Sequence, residues 1–469
     1  MKKIIISSLL LFSLAANSQS SWDLQTCINY ALNHNISLRQ RALTNETNKN
    51  TTDQSKASLL PSLNAGVTHN YNFGKTIDRF TNTFANTQVL SQNFYLSTSV
   101  VLWSGLSQYN NVKSNEYAYL SGVELLKQQQ NDLALNVANA YIGVIFSEEI
   151  LKISQNQYSV TSEQLDRTSK LVSAGALAKS VEYDIKSQLA NELVNVTVAD
   201  NNYQISLLSL KQLMNLDSVA NFKIERPVIT LQEAQLLENN VQYIYESSLK
   251  TQPSIKSNEY SIMSADRYLK STKGRISPTL SMNANLATGY SGLDVQGTGQ
   301  YNRVAYTLGD IPNFGPITYY TNEPVLEKKP FSAQFKDNVA KSFGFTLNIP
   351  LFNGLQTHTL IKNAQLNSLN ARLTQDLTKQ NLYKNIAQAH VNAKAALNKY
   401  QASEFSVEAA TESFKYAEQK FNAGVISAID FSTSKNRLYA AESNLLQAKY
   451  DYVFKLKVLD YYQGKPLGF

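Results

Sequence analysis

Cysteine is almost absent from this sequence, since Cys27 is the only one in 469 residues. A single cysteine excludes an intramolecular disulfide framework and a cysteine-rich metal site. The four histidines, His34, His69, His358 and His390, lack the spacing of metal ligands. The sequence also has no glycine-rich phosphate loop and no nucleophile elbow. We therefore expect no enzyme active site, no cofactor and no metal, and we interpret Cys27 as a small core residue.

Charge and long apolar runs are also scarce. Charged residues make up 17% of the sequence, against about 25% in typical soluble domains. The formal net charge is +7, but no basic block is dense enough to indicate a nucleic-acid partner. Beyond the N-terminus, no stretch approaches the ~18 consecutive apolar residues that predict a transmembrane helix. Nucleic-acid binding and a helical membrane anchor are therefore both disfavoured.

Residues 1–20 have the pattern of a secretory signal peptide. Lys2 and Lys3 form a basic start, residues 4–14 are apolar, and residues 16–18 resemble a cleavage site. A retained N-terminal anchor is the alternative, but the apolar stretch is too short to span a bilayer as a helix. We therefore predict an exported protein.

The remaining chain is an internal duplication. Gly175 recurs as Gly424 in the same Ala-Gly context, 249 positions later, and the segment 102–105 recurs at 351–354 in the same register. Upstream, Pro61 matches Pro278 at a spacing of 217 instead of 249. The second copy therefore contains 32 additional residues between Pro278 and residue 351. A constant spacing between matching residues over such a length of sequence indicates an internal repeat. We assign residues 21–230 to the first repeat and 231–469 to the second.

Each repeat contains two segments in which apolar residues alternate with small polar ones. In the first segment, Leu63, Ala65 and Val67 alternate with Asn64 and Gly66. These segments are longer than the five or six residues typical of globular strands, and about 9–11 residues are enough for a tilted strand to cross a bilayer. A soluble hairpin packed on a helix is the alternative. The predicted strands cover about 62–73, 93–103, 279–290 and 342–352.

Long helices follow the strands. No proline interrupts the chain between Gly105 and Gly175, or between Gly354 and Gly424, and each span covers 70 positions. At 1.5 Å per residue, each helix would be on the order of 100 Å long. The returning helix of the first repeat has apolar residues at steps of four and three, including Leu189 and Leu193, which is typical of a coiled-coil seam.

The connections differ in length at the two ends of the strands. Residues 74–92 form a polar loop, and residues 291–341, rich in Gly, Pro and Tyr, form a long external loop. Residues 216–230 cross between the repeats, with Val228 and Ile229 in a possible short strand. Long loops on one side and short transitions on the other are typical of outer-membrane barrels.

Four strands cannot close a barrel, because small barrels begin at about eight strands. An open edge in lipid would leave backbone groups unpaired at several kcal/mol each. The strands must therefore be shared between copies. A dimer would give eight strands with a filled interior, whereas a trimer would give twelve strands around water. The pattern favours the trimer.

In its signal peptide, repeats, strand pairs and Ala-Gly turns, the sequence resembles the TolC-type outer-membrane efflux proteins over essentially the whole mature chain. The resemblance implies an internally duplicated chain of coiled-coil hairpins with four transmembrane strands. Three copies would close a twelve-stranded β-barrel in the outer membrane, continued by an α-helical barrel in the periplasm. It further implies a passive exit duct of a tripartite efflux or type I secretion system, opened by a periplasmic adaptor and an inner-membrane pump.

The same resemblance points to functional residues at the two turns. It implies that an adaptor docks at two short segments: Ala174, Gly175, Ala176 and Leu177 in the first turn, and Ala423, Gly424, Val425, Ile426 and Ser427 in the second. The two glycines also suit a turn that needs positive φ.

The resemblance also implies a periplasmic gate. Phe421 and Asp430 occupy positions where the family has an aromatic and an acidic gate residue, although Ile426 replaces the family's usual basic residue. Glu182 and Asp184 lie near the matching position of the first repeat. Asp430 has an alternative role, since a carboxylate at a helix N-terminus is favoured by the helix dipole. At the level of the whole protein, the alternative function is a secreted coiled-coil structural or adhesive surface protein.

Overall fold

The computed structural model describes residues 22–78, 80–86, 88–217, 222–226, 240–312 and 315–465. The predicted signal peptide and the possible strand at Val228 and Ile229 lie outside these residues. The chain divides into two compact units. The first, which we call the helical unit, comprises Met1–Lys49, Tyr117–Met263 and Leu369–Phe469. The second, which we call the sheet unit, comprises Asn50–Glu116 and Ser264–Ser368.

Helices account for most of the described chain, and the two predicted long helices are confirmed at 67 residues each. Within the described residues, no helix has the combination of length and apolar character required to cross a bilayer. In chain order the helices are α1 (Leu24–His34), α2 (Ile36–Ala57), α3 (Ser107–Ser173), α4 (Lys179–Met214), α5 (Val241–Thr251), α6 (Pro253–Gly274), α7 (Phe331–Asp337), α8 (Gln356–Asn422) and α9 (Ala428–Tyr462).

The largest core of the helical unit joins α1, α3, α4 and α9. Cys27 is fully buried in this core, as the sequence analysis predicts. Tyr141 is also buried, and its hydroxyl donates a hydrogen bond to the Trp22 carbonyl oxygen at 3.1 Å. Because α9 belongs to the second repeat and the other three helices to the first, this core packs the two repeats together.

The four predicted strands form one antiparallel sheet, in which they lie side by side in chain order. The duplication extends to the register, because Ser62 pairs with Ser99 in the first repeat and Thr279 pairs with Asn348 in the second. These pairs differ by the same offsets, 217 and 249, that relate the repeats in the sequence. The strands are β1 (Ser62–Asn72), β4 (Val89–Trp103), β5 (Thr279–Ser291) and β8 (Ala340–Asn348).

Two strand boundaries differ from the prediction. β4 begins at Val89 rather than near residue 93, and β8 ends at Asn348 rather than near residue 352. Pro350 explains the second difference, because proline has no N–H for the ladder and disfavours a continuing strand.

The predicted loops contain regular structure, so the prediction of a long loop at 291–341 was wrong. This segment forms a hairpin of β6 (Val295–Ile311) and β7 (Gly315–Lys328), followed by the short helix α7. Glycine and proline suggested a loop, but tyrosine and β-branched residues favour strands, and Tyr306 pairs with Tyr319 across the hairpin. The 74–92 segment contains a smaller hairpin of β2 (Thr76–Ile77) and β3 (Phe84–Ala85).

Candidate functional site

The four-stranded sheet has one apolar and one polar face. Val67 pairs with Phe94 and Ala284 pairs with Phe343, so these apolar side chains share a face. Phe343 is 80% exposed in the single chain. The opposite face presents small polar side chains, including Asn64, Ser97, Asn283, Asn285, Ser342 and Thr346. A wall of this kind can separate lipid from water.

The sheet is open at both edges. Within the described residues, β1 pairs only with β4, and β8 pairs only with β5. The outer backbone groups of β1 and β8 therefore remain available for another strand. In a lipid environment, backbone groups left unpaired at such edges would cost several kcal/mol each.

The first helix turn has the geometry predicted for it. Gly175 has φ +76°. The N–H of Gly175 donates to the Val172 carbonyl at 3.0 Å, and that of Ala176 donates to the Leu171 carbonyl at 2.9 Å. This bonding pattern is the Schellman helix end, which needs a residue in the left-handed conformation. Ala174, Gly175 and Ala176 are exposed, whereas Leu177 is half-buried.

The second turn repeats this geometry. Gly424 has φ +71°, its N–H donates to the Phe421 carbonyl at 3.0 Å, and the Val425 N–H donates to the Lys420 carbonyl at 2.9 Å. Ala423, Gly424, Val425 and Ser427 are exposed and Ile426 is half-buried. Both tips therefore present small and aliphatic side chains to solvent.

Asp430 lies in a capping box at the start of α9. Its backbone N–H donates to Ser427 Oγ at 3.1 Å, and its carboxylate accepts from the Ser427 N–H at 3.3 Å and from the Ser427 hydroxyl at 2.7 Å. The structure therefore supports the helix-capping role for this residue. Phe421 stacks on Phe431 across the tip, with ring centroids 4.8 Å apart.

The acidic candidates of the first repeat have separate surroundings. Glu182 forms an ion pair with Lys186 at 2.7 Å, and the hydrogen bond from this lysine lowers the pKa of the half-buried Glu182 carboxyl group. Asp184 is exposed and contributes to the lining of a cavity of about 240 Å³ between α3, α4 and α9. Ile185 and Phe431 contribute apolar lining to this cavity.

A buried ion pair near the tips was missed in the sequence. Lys435 of α9 and Glu192 of α4 lie 3.3 Å apart, with side chains only 4% and 6% exposed. The Lys435 ammonium also donates to the Gln157 carbonyl at 2.9 Å and to the Thr161 hydroxyl, both in α3. Burial lowers the pKa of Lys435, and the Glu192 carboxylate opposes that shift. The pair joins helices of both repeats.

Among the described residues, no group of three or more His, Cys, Asp or Glu side chains is placed to hold a metal ion.

Comparison with known proteins gives a consistent result. The family model described as "Outer membrane efflux protein" matches residues 27–216 and 244–464. Outer membrane protein TolC of Escherichia coli (strain K12) is 22% identical over 431 residues, covering 89% of this chain and 77% of that protein. Outer membrane efflux protein BepC of Brucella suis is 19% identical over 354 residues, covering 75% and 68% respectively.

Solved structures share the fold. The outer membrane protein VceC of Vibrio cholerae superposes with a TM-score of 0.75 at 14% identity, covering 95% of this chain and 97% of that one. The open state of the MtrE outer membrane channel of Neisseria gonorrhoeae gives a TM-score of 0.71 at 16% identity, covering 94% and 88%. The predicted combination of long helices and a small sheet is therefore a known arrangement.

Proposed function

We infer the function from the family, because the chain belongs to the outer membrane efflux proteins, whose model matches most of its length. It is the outer-membrane channel component of a tripartite efflux system, with a helical periplasmic part. Membership makes it a transport duct rather than an enzyme, and it removes the alternative of a secreted adhesive protein. The observation that supports a duct most directly is the sheet, which has one apolar face, one polar face and two open edges.

We propose that three copies close a twelve-stranded barrel around a water-filled lumen. Each copy supplies four strands, and β8 of one copy pairs with β1 of the next. The apolar face then contacts lipid, and the polar face lines the lumen. Closure pairs the outer backbone groups of β1 and β8, which would otherwise face the membrane interior.

The internal repeat predicts the register of that contact. In the chain, β4 pairs with β5 such that Ser97 lies opposite Asn285. Ser97 is equivalent to Thr346 of β8, 249 positions later, and Asn285 is equivalent to Thr68 of β1, 217 positions earlier. Because the pairings within the two repeats are equivalent, we expect Thr346 to lie opposite Thr68 of the next copy.

Disulfide cross-linking tests this register. The variant with Thr68→Cys and Thr346→Cys should give a covalent trimer under non-reducing denaturing electrophoresis, since opposed residues on paired strands lie within disulfide reach. The matched control combines Thr68→Cys with Ser342→Cys, which lies four residues away, or about 13 Å along the strand. Equal cross-linking in both variants, or none in the first, would overturn the proposed closure.

We further propose that the two exposed tips dock a periplasmic adaptor protein, which couples the channel to an inner-membrane pump. The support is the matching geometry of the two turns and the exposure of Val425, which is 71% exposed. Val425→Glu with Ala176→Glu should abolish efflux by a deletion strain that carries the variant, while the trimer still assembles. Ser173→Glu, next to the first turn on α3, is the matched control. Full efflux by the double variant would contradict docking at these residues.

The gate remains a separate proposal. We propose that Phe421, Asp430, Glu182 and Asp184 narrow the periplasmic end in the closed trimer. Because Asp430 caps α9, its gate and capping roles must be separated. Asp430→Asn removes the charge and retains an oxygen that can accept the Ser427 hydrogen bonds. Higher single-channel conductance in Asp430→Asn would support the gate, whereas a change only in Asp430→Ala would assign Asp430 to capping alone.

A further inference from the structure

The short helix α7 lies on the apolar face of the sheet. Phe335 contacts Phe94 with ring centroids 5.5 Å apart, and Phe331 contacts Tyr290 at 5.7 Å. The Thr288 hydroxyl donates to the Phe335 carbonyl at 2.7 Å. Phe94 and Thr288 are paired residues of β4 and β5 on the apolar face. The helix therefore lies at the strand ends that lead into β6 and β7, opposite the ends that lead into α3 and α8.

Buried hydrogen bonds hold this helix in place. Gln334 is fully buried, and its Nε2 donates to the carbonyl oxygens of Ser291 at 3.0 Å and Lys329 at 2.9 Å. Its Oε1 accepts from the Ser291 N–H at 2.8 Å. The Ser291 hydroxyl in turn donates to the Asp78 carboxylate, which also accepts from the Phe80 N–H at 2.9 Å. Segments from both repeats thus fix α7 against the sheet.

An apolar groove of about 730 Å³ lies between α7 and the sheet. All four strands of the sheet and the end of α7 contribute to its lining, and Leu286, Phe335 and Val339 are each at least 40% exposed in the chain. The residues that define it are Val67, Phe94, Leu96, Leu286, Phe335 and Val339, with Lys341 at one side. A groove with this lining accommodates a hydrocarbon chain.

Several lysines lie in the segments that lead into and out of α7 at the same end of the sheet. Lys329 forms an ion pair with Asp337 at 2.6 Å. In the parts of the chain that the structure describes, no carboxylate lies within ion-pair distance of Lys328, Lys336 or Lys341. Lys341 is both exposed and part of the groove lining. A cation beside a hydrocarbon groove matches a lipid whose phosphate group adjoins its acyl chains, because lysine binds phosphate as a point charge.

We propose that this groove binds one acyl chain of a phosphate-bearing glycolipid of the outer leaflet, with its phosphate at Lys341 and Lys336. The inference rests on the proposed function, since only barrel closure in the outer membrane turns this face toward lipid. Phe331 and Phe335 then lie at the headgroup level, where aromatic residues flank the apolar band of barrels. The lipid covers apolar surface that the chain itself leaves exposed.

Binding of lipid A to the purified full-length protein in detergent, measured by native mass spectrometry, tests the proposal. We expect bisphosphorylated lipid A to bind at least about tenfold more tightly than dephosphorylated lipid A, from the loss of charge-assisted contacts. Lys341→Gln with Lys336→Gln should remove this difference. Phe335→Ala should weaken binding of both forms. Lys250→Gln, which changes an exposed lysine of α5 in the helical unit, is the matched control.

The possible outcomes distinguish failure of the proposed lipid site from failure of the proposed channel function. A conducting trimer that binds both forms of lipid A equally would overturn the lipid site and leave the channel intact. Loss of binding in Lys250→Gln to the same extent as in the double variant would also overturn it, since the effect would then be general charge attraction. A monomer without conductance would overturn the channel and the lipid site together.

Discussion

Replacing Lys435 with methionine should loosen the three helices that meet near the tips. The substitution keeps an unbranched side chain and removes the only cation within ion-pair distance of Glu192 among the described residues. Glu192 would then be a buried, uncompensated carboxylate. Its Oε2 already has no hydrogen-bond partner among the described residues, so the remaining contact of Oε1 with Gln188 at 2.9 Å would be its main stabilisation.

The expected magnitude follows from the burial of the pair. Breaking a buried ion pair by removing one partner typically costs about 3–5 kcal/mol, which is about two to four powers of ten in a local opening equilibrium. Removing both charges is different, because a hydrophobic replacement of a buried pair is often neutral or stabilising. Lys435→Met with Glu192→Leu should therefore recover most of the loss.

Hydrogen exchange measured by mass spectrometry on the detergent-solubilised protein provides the assay. Peptides from the C-terminal third of α3 and from the start of α9 should exchange faster by the predicted factor in Lys435→Met and near the wild-type rate in the double variant. Peptides from α5, distant in sequence, serve as the internal control. Wild-type exchange in the single variant, or equally fast exchange in the double variant, would refute this assignment.

Three further substitutions give distinct expectations. Gly424→Ala should destabilise the second tip by about 1–2 kcal/mol in thermal unfolding, because φ there is +71°, and Gly424→Asn should cost less. Burial raises the pKa of the Glu442 carboxyl group above 4.5, so the folded state holds this proton to a higher pH than the unfolded state does. The stability of the wild-type protein should therefore fall as pH rises from 4.5 through the raised pKa. Glu442→Gln should remove this pH dependence. Gly66→Val should reduce denaturant-resistant trimers slightly, by about 0.5–1.5 kcal/mol, because a Cβ there would meet the end of the Tyr95 ring at 2.5 Å and this partly exposed side chain must rotate away. Tyr95→Ala should rescue Gly66→Val, and unchanged trimer yield would contradict that clash.

Periodic features were predictable because local chemistry determines them. Alternation identified all four strands of the sheet, and the equal spans Gly105–Gly175 and Gly354–Gly424 identified two helices of equal length. The positive φ of both glycines follows from the need to reverse the chain between antiparallel helices. The strand pairings of the two repeats are related by the same offsets that relate the repeats in the sequence.

The features that could not be predicted from the sequence depend on contacts between residues that are distant in the chain. Leu193 was assigned to the coiled-coil seam, but it is 51% exposed, and its neighbour Glu192 is buried instead. A carboxylate can occupy that position only because Lys435, 243 positions away, supplies the opposite charge. The β6-β7 hairpin was missed because glycines at turns and bulges, including Gly309 and Gly315, resemble loop signals in the sequence.

The most direct test of the twelve-stranded duct is single-channel recording in a planar bilayer, on mature protein whose mass has been measured by light scattering. Closure by three copies predicts a particle of three chains that gives small, discrete conductance steps. A water-soluble monomer that produces no conductance would contradict barrel closure.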